Sequence, residues 1–259
     1  MTVPNNPIIV IPARLASTRL PDKPLADIAG APMIVQVWRR AMEADCGPVI
    51  VACGENAIAD AVRDAGGEAV LTEPDLPSGS DRIHEALERF DPDGRHDGVI
   101  NLQGDLPTIE ASVVRAVLDP LKDSAVDIAT LVTQITDPTE RDNPNVVKAV
   151  LVLASGESIG RALYFSRATV PWCDPETDDI NAPLYHHIGI YAYRREALRR
   201  FVALPPGSLE MRERLEQLRA LENGMIIAAA CVDTVPLGVD TPADLQRARA
   251  ILGSGAESG

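Results

Sequence analysis

Short apolar runs alternate along this chain with segments whose apolar residues recur every three or four positions, and that alternation predicts a layered α/β fold. Residues 8–11 (IIVI) read as a buried strand. Met33, Ile34, Val37, Trp38, Ala41 and Met42 then fall at helical spacing, and Gly47-Pro48 ends that helix. Residues 49–53 form a second apolar run, Ile58, Ala61, Val62 and Ala65 line the next helix, and Gly66-Gly67 stops it. Residues 99–102 are a third strand, followed by a helical stripe of Val113, Val114, Val117, Leu118 and Leu121. A β–α–β–α–β–α order of this kind favours parallel strands with helices on both faces. Beyond residue 125 strands are expected at 127–132, 146–153, 187–193 and 226–232, with helices near 195–203, 209–222 and 242–252.

No linker or internal repeat divides the chain, so a single domain is expected over 1–252, with a tail, 253–259, too poor in apolar side chains to fold. Residues 171–183, with Asp174, Glu176, Asp178 and Asp179, read as a solvated acidic loop. The longest apolar run, Met225 to Val232, has eight residues, far below the ~20 that cross a bilayer. No basic opening followed by an apolar stretch marks a secretory signal. Cys46, Cys53, Cys173 and Cys231 form no CxxC pair, which argues against zinc and fits a reducing compartment. The net charge of −14 gives no electrostatic footprint for nucleic acid. An anionic small substrate would therefore need a local basic patch or a metal ion.

Such a patch follows the first strand. Residues 1–25 carry Arg14, Arg19 and Lys23 against Asp22 alone, a local charge of +2. Ligands of open α/β sheets sit at the carboxyl ends of strands, where this loop begins. Ala13, Ala16 and Ser17 are small enough for backbone amides to approach an anion, and Pro21 and Pro24 stiffen the segment presenting Lys23. The loop reads as a triphosphate cradle or, more simply, as a basic surface loop. It is neither GxxxxGK[ST] nor GxGxxG, which excludes a Walker loop and leaves a dinucleotide dehydrogenase without support.

The third strand ends in Asn101-Leu102-Gln103-Gly104-Asp105, which places Asp105 beside that loop. A carboxylate there would repel phosphates unless a divalent cation intervened, and Mg²⁺ commonly takes one or two carboxylates plus phosphate oxygens. Asp240, in Gly238-Val239-Asp240-Thr241-Pro242, is a second carboxylate for the same ion, or else it or Thr241 simply caps the last helix. In Ser78-Gly79-Ser80-Asp81-Arg82 the polar groups either cap a helix or face a base edge. Alternation in the strand at 186–193 puts His187, Tyr191 and Tyr193 on one face, as a polar pocket or a partly exposed sheet surface. The helix expected at 209–219 reads as charged and amphipathic, with Glu213 and Glu216 near Arg212.

Together the blocks IPARLASTRLPDKPLADIAGAPMI, SGSDR, NLQGD, NPNVVKAV, ALYFSRATVPW, HHIGIYAYR, the LE-to-LEQLRALENG segment and GVDTPADL resemble, in the same order, the 3-deoxy-manno-octulosonate cytidylyltransferases, or CMP-Kdo synthetases, over residues 8–252. The resemblance implies a three-layer α/β/α, glycosyltransferase-A-like nucleotidyltransferase fold with a mostly parallel mixed sheet. It also implies a cytoplasmic homodimer in lipopolysaccharide precursor synthesis that joins CTP and Kdo to give CMP-Kdo and pyrophosphate with Mg²⁺. On that basis Ala13, Arg14, Arg19 and Lys23 would bind the triphosphate, Ser78, Arg82 and Gln103 would help hold CTP, and Asp105 and Asp240 would ligate Mg²⁺. Asp105, Asp240, Lys23 and Arg19 would carry catalysis. Gln103, Arg167, His187, Tyr191, Glu213 and Gln217 would serve the acid sugar. Two departures stand out: Asp22 occupies a position where the family usually has Gly, and Leu106 replaces the Glu that usually follows the QGD aspartate. Sialic-acid cytidylyltransferases share the IPAR opening but continue with a Gly-Gly-Ser-Lys pattern absent here, and a nucleotide-binding regulator would bind CTP without releasing pyrophosphate.

Overall fold

The structure, a computed structural model, describes residues 4–16, 20–172 and 183–255. Arg19 and the acidic residues of the expected loop at 171–183 lie outside the described residues. The chain divides into two compact units, one formed by Pro4–Arg115 with the segment from Pro236 onward, the other by Ala116–Val235.

The first unit begins with strand β1 (Pro7–Ala13), a 3₁₀ turn (Lys23–Leu25), a hairpin of β2 (Asp27–Ile28) and β3 (Ala31–Pro32), and helix α1 (Met33–Glu43). Positive φ at Ala29 and Gly30 (50° and 80°) closes the hairpin in two residues, the geometry of a primed turn. Strand β4 (Val49–Cys53), helix α2 (Asn56–Asp64), strand β5 (Glu68–Leu71), helix α3 (Gly79–Phe90), strand β6 (Gly98–Asn101) and helix α4 (Ala111–Ala116) follow. The strands pair in the order β5-β4-β1-β6, all parallel, with Ile9 opposite Val49 and Ile100. Ile8, Ile9, Val10 and Ile11 have no exposed surface, and every residue of β4 and β6 is buried. That is why these strands read as continuous apolar runs rather than alternating ones. Strand β5 was not anticipated, and the helix expected through Leu121 stops at Ala116, giving way to a second 3₁₀ turn at Asp119–Lys122.

The second unit carries β7 (Ile128–Gln134), a short α5 (Pro138–Arg141), β8 (Lys148–Val152), β9 (Ile159–Ser166), β10 (Tyr185–Arg194), α6 (Arg195–Val202), α7 (Ser208–Glu213), α8 (Leu218–Glu222) and β11 (Ile227–Cys231). Its strands run in the order β10-β7-β11-β9-β8; β11 is parallel to β7, and the other pairs are antiparallel. The fold is thus α/β with parallel and antiparallel strands. Strand β9 escaped the sequence reading because its exposed positions include the apolar Ile159 and Leu163. The expected helix over 209–222 is two helices, since Arg214 turns left-handed (φ 56°) and ends the first.

From Pro236 the chain returns to the first unit and its described part ends in α9 (Pro242–Gly255), three residues longer than the expected 242–252 helix and reaching into the expected tail; 256–259 lie outside the described residues. Leu245 and Ala248 of α9 pack with Val239 against Ile28 and Met33, which fixes the loop bearing Asp240 on the β2–β3 hairpin.

Candidate active site

In the first unit β1 and β6 are parallel neighbours, and their adjacent carboxyl ends are the kind of place where an open sheet binds ligands. A cavity of about 430 Å³ lies there, lined by Ala13, Arg14 and Lys23 of the basic loop, Gln103 and Asp105 beyond β6, and Asp240 before α9. Ser78 and Arg82 line it from α3.

Three backbone features bring the side chains together. A Cβ on Gly104 would sit 2.7 Å from the carbonyl oxygen of Pro12, so only glycine lets the 103–105 turn close on the end of β1. The amide of Val239 donates to the Asp105 carbonyl at 2.9 Å, which carries Asp240 alongside Asp105. Asp22 adopts the left-handed conformation (φ 51°, ψ 29°) and starts the 3₁₀ turn that presents Lys23. This explains the usual glycine at that position, and aspartate is among the few L-residues that tolerate it.

The result is a bridge. Lys23 Nζ lies 2.9 Å from Asp105 Oδ2 and 2.8 Å from Asp240 Oδ1, with the lysine side chain only 14% exposed. Burial lowers the affinity of Lys23 for its proton, but the Asp105 charge and hydrogen bonds to Asp240 and Asp105 outweigh it and raise the ammonium above its ordinary value. Asp240 is not the helix cap. Thr241 Oγ1 accepts from the Asp244 amide at 3.2 Å, while Asp244 Oδ2 accepts from the amides of Asp240 and Thr241 and from the Thr241 hydroxyl. Burial opposes ionisation of Asp244, yet hydrogen bonds from Arg247, Thr241 and the two amides hold its carboxyl at about 2. The Thr-Pro-Ala-Asp spacing of a capping box was the available signal for this brace.

Ser78 serves as the N-cap of α3, accepting from the Asp81 amide and donating to Asp81 Oδ2 at 2.7 Å. Arg82 is buried and spends its guanidinium on Thr72 Oγ1 and on the carbonyls of Glu73 and Pro74, clamping the 72–74 segment beside the cavity. Gln103 donates to Asn101 Oδ1 at 3.1 Å.

The residues associated by resemblance with an acid sugar, Gln103 apart, belong to the second unit. Strand β9 joins two groups of them. Phe165 rests edge-on against His187 (ring centroids 4.8 Å apart), and His187 lies 5.5 Å from the Tyr191 ring. The next residues hold Glu213: Ser166 Oγ donates to Oε1 at 2.8 Å and the Arg167 amide to Oε2 at 3.0 Å. The Arg167 guanidinium donates to the carbonyls of Glu213 and Pro144. Glu213 therefore meets β9 rather than Glu216 and Arg212 on a continuous helix. Gln217 is buried, and its Nε2 has no partner among the described residues. Burial, reinforced by His186, holds the His187 imidazole down at about 3, and burial keeps the Tyr191 phenol well above its usual range. Both are neutral at pH 7. Thr130, which no local pattern singled out, places its Oγ1 3.0 Å from His187 Nε2 and within 2.8 Å and 3.2 Å of the Ile190 and Ile188 carbonyls, which orients the imidazole.

The cytidylyltransferase family profile matches residues 8–227. The 3-deoxy-manno-octulosonate cytidylyltransferase of Rhodospirillum centenum is 67% identical over 249 residues, covering 96% of this chain and 94% of that one. Its counterpart from Paramagnetospirillum magneticum is 64% identical over 95% of this chain and 97% of its own. A solved CMP:2-keto-3-deoxy-manno-octonic acid synthetase, complexed with CTP, matches with a TM-score of 0.87 at 38% identity, over 97% of this chain and all of that one. A Methanothermobacter nucleotidyl transferase, at 15% identity and a TM-score of 0.58, shares the fold. From the ordered motifs, the site at the β1–β6 crevice and these full-length matches, the chain belongs to the 3-deoxy-manno-octulosonate cytidylyltransferase (CMP-Kdo synthetase) family.

Proposed function

We propose that this chain transfers CMP from CTP to the anomeric hydroxyl of Kdo, releasing pyrophosphate. The observation that carries the reading is the convergence of Asp105 and Asp240 on Lys23 at the wall of a cavity that the basic loop also lines. The reaction is an in-line displacement at the α-phosphorus, in which positioning and charge neutralisation supply most of the catalysis. Arg14 and Lys23 place positive charge where the triphosphate enters, and Arg19, outside the described residues, is assigned the same task from the sequence. Offsetting charge on the departing pyrophosphate is their principal contribution. Ser78 and Arg82, held by the α3 cap and the 72–74 clamp, present a rigid wall for the cytosine. In the second unit neutral His187 and Tyr191, with Arg167, Glu213 and Gln217, are assigned to the acid sugar; Gln103, in the first unit, carries the same assignment.

The donor set suits Mg²⁺: two hard carboxylate oxygens already converge within 3 Å of one cationic centre, and the ion commonly completes its shell with water and phosphate oxygens. Asp105 and Asp240 would hold it, and when bound it supplies positive charge that brings two anionic substrates together. The same reading includes a three-layer α/β/α, glycosyltransferase-A-like framework and a homodimer working in the cytoplasm on lipopolysaccharide precursors. No helix among the described residues is long and apolar enough to cross a membrane.

Phosphorus NMR tests the reaction directly. Purified protein with Mg²⁺ is given CTP, UTP or dTTP, each paired with Kdo or N-acetylneuraminate, with spectra taken early because the product hydrolyses. CTP with Kdo is expected to give a monophosphate diester and pyrophosphate; a diester from another pair alone, or none at all, overturns the assignment.

A further inference from the structure

The ammonium of Lys23 occupies the point from which both carboxylates are reached, at 2.9 Å and 2.8 Å. The same side chain lines the cavity offered to the triphosphate. It cannot serve both places at once, nor share the aspartate oxygens with a divalent cation, because two positive centres within ligating distance of the same oxygens repel. Its backbone is fixed. Leu25 N donates to Asp22 O at 2.8 Å and Pro24 is buried, so any exchange is a swing of the four-carbon stem rather than a loop movement.

We propose that Lys23 is a built-in stand-in for the divalent cation: it holds Asp105 and Asp240 together while no triphosphate is bound, and yields the pair to the metal when the phosphates draw the ammonium away. This rests on the reading of the two aspartates as the metal's ligands. It makes metal and nucleotide bind cooperatively through one side chain, and it keeps two remote loops from being driven apart by like charge in the free protein. The metal-binding carboxylates are thus preformed but occupied.

The test is Mn²⁺ binding to the full chain without nucleotide, followed by the electron paramagnetic resonance of free Mn²⁺. Lys23→Gln and Lys23→Met, checked for folding by circular dichroism, are both expected to bind Mn²⁺ about tenfold tighter than the unmodified chain, within the usual span of coupling between sites. The gain must vanish in the Lys23→Gln, Asp105→Asn double variant, and must not appear in Arg14→Gln, which removes a positive charge from the same cavity without touching the pair. Equal affinity in the lysine variants and the unmodified chain overturns the proposal. So does a gain that survives loss of Asp105, or one matched by Arg14→Gln. Turnover of CTP and Kdo by the unmodified chain separates the two conclusions: product formation with no affinity gain refutes the stand-in alone, whereas no product refutes the catalytic assignment.

Discussion

Gly104→Ala is a single-methyl change whose consequence can be worked out from the geometry around Asp105. The added Cβ would lie 2.7 Å from Pro12 O, with Ile34 Cδ1 at 3.4 Å and Ile11 Cγ2 at 3.7 Å. The two isoleucine contacts are ordinary; the backbone oxygen is not. Relief to normal van der Waals separation needs a displacement of about 0.7 Å. Pro12 cannot easily give way, because β1 is paired on both sides, and the 103–105 turn is tied through Asp105 O to Val239 N. The strain therefore falls on the turn that carries Asp105. Overpacking of this kind costs about 1–3 kcal/mol of stability, and a misplacement approaching 1 Å at a reacting centre costs up to about 100-fold in rate. We expect turnover, followed by pyrophosphate release at saturating CTP and Kdo, to fall 10- to 100-fold by the same estimate while the protein still folds. Unchanged turnover with an unchanged melting temperature would refute the claim that glycine is needed for this approach.

Asp105→Asn keeps the shape but removes the charge, so kcat is expected to drop by orders of magnitude with a cooperative melt retained; near-normal turnover would remove Asp105 from the chemistry. Asp22→Gly should stabilise the chain by up to about 1 kcal/mol, since it relieves a left-handed L-residue and gives back part of that in chain entropy; a lower unfolding midpoint in urea would contradict this. His187 has a folded value near 3, against 6.5 when unfolded, so only the unfolded state takes up its proton between those values. Its contribution to stability is therefore constant above pH 6.5 and falls by about 1.4 kcal/mol per pH unit down to pH 3. His187→Gln should flatten that part of the stability–pH curve relative to the unmodified chain, and parallel curves would show that the imidazole is not held neutral.

Local patterns were enough for three strands and two helices of the first unit, though not for β5 or the end of α4. Strands buried on both faces must be apolar throughout, and helices packed on one side must repeat every three to four residues; β1, β4 and β6 with α1 and α2 follow those rules. The same rules misread β9, whose outward positions Ile159 and Leu163 are apolar, and ran α7 and α8 together, because side-chain periodicity does not register a left-handed backbone at Arg214. At the site, the position of Asp105 after β6 and the charge of the 14–23 loop were legible from order and composition alone.

What the chain's order determined, then, was which groups stand at the carboxyl ends of the parallel strands: a cationic loop and one carboxylate. Tertiary structure decided that Asp240, which the sequence left as either a second carboxylate for the site or a helix cap, joins them, through the Val239–Asp105 backbone bond and the packing of α9 on the β2–β3 hairpin. It also decided that Arg82 is committed to the 72–74 segment and that Thr130 meets His187 Nε2. The division has a physical reason. Burial and helical period are properties of neighbouring residues, whereas a hydrogen bond between separate segments, 134 residues apart for Val239 and Asp105, depends on how the whole unit packs, and no local pattern encodes it.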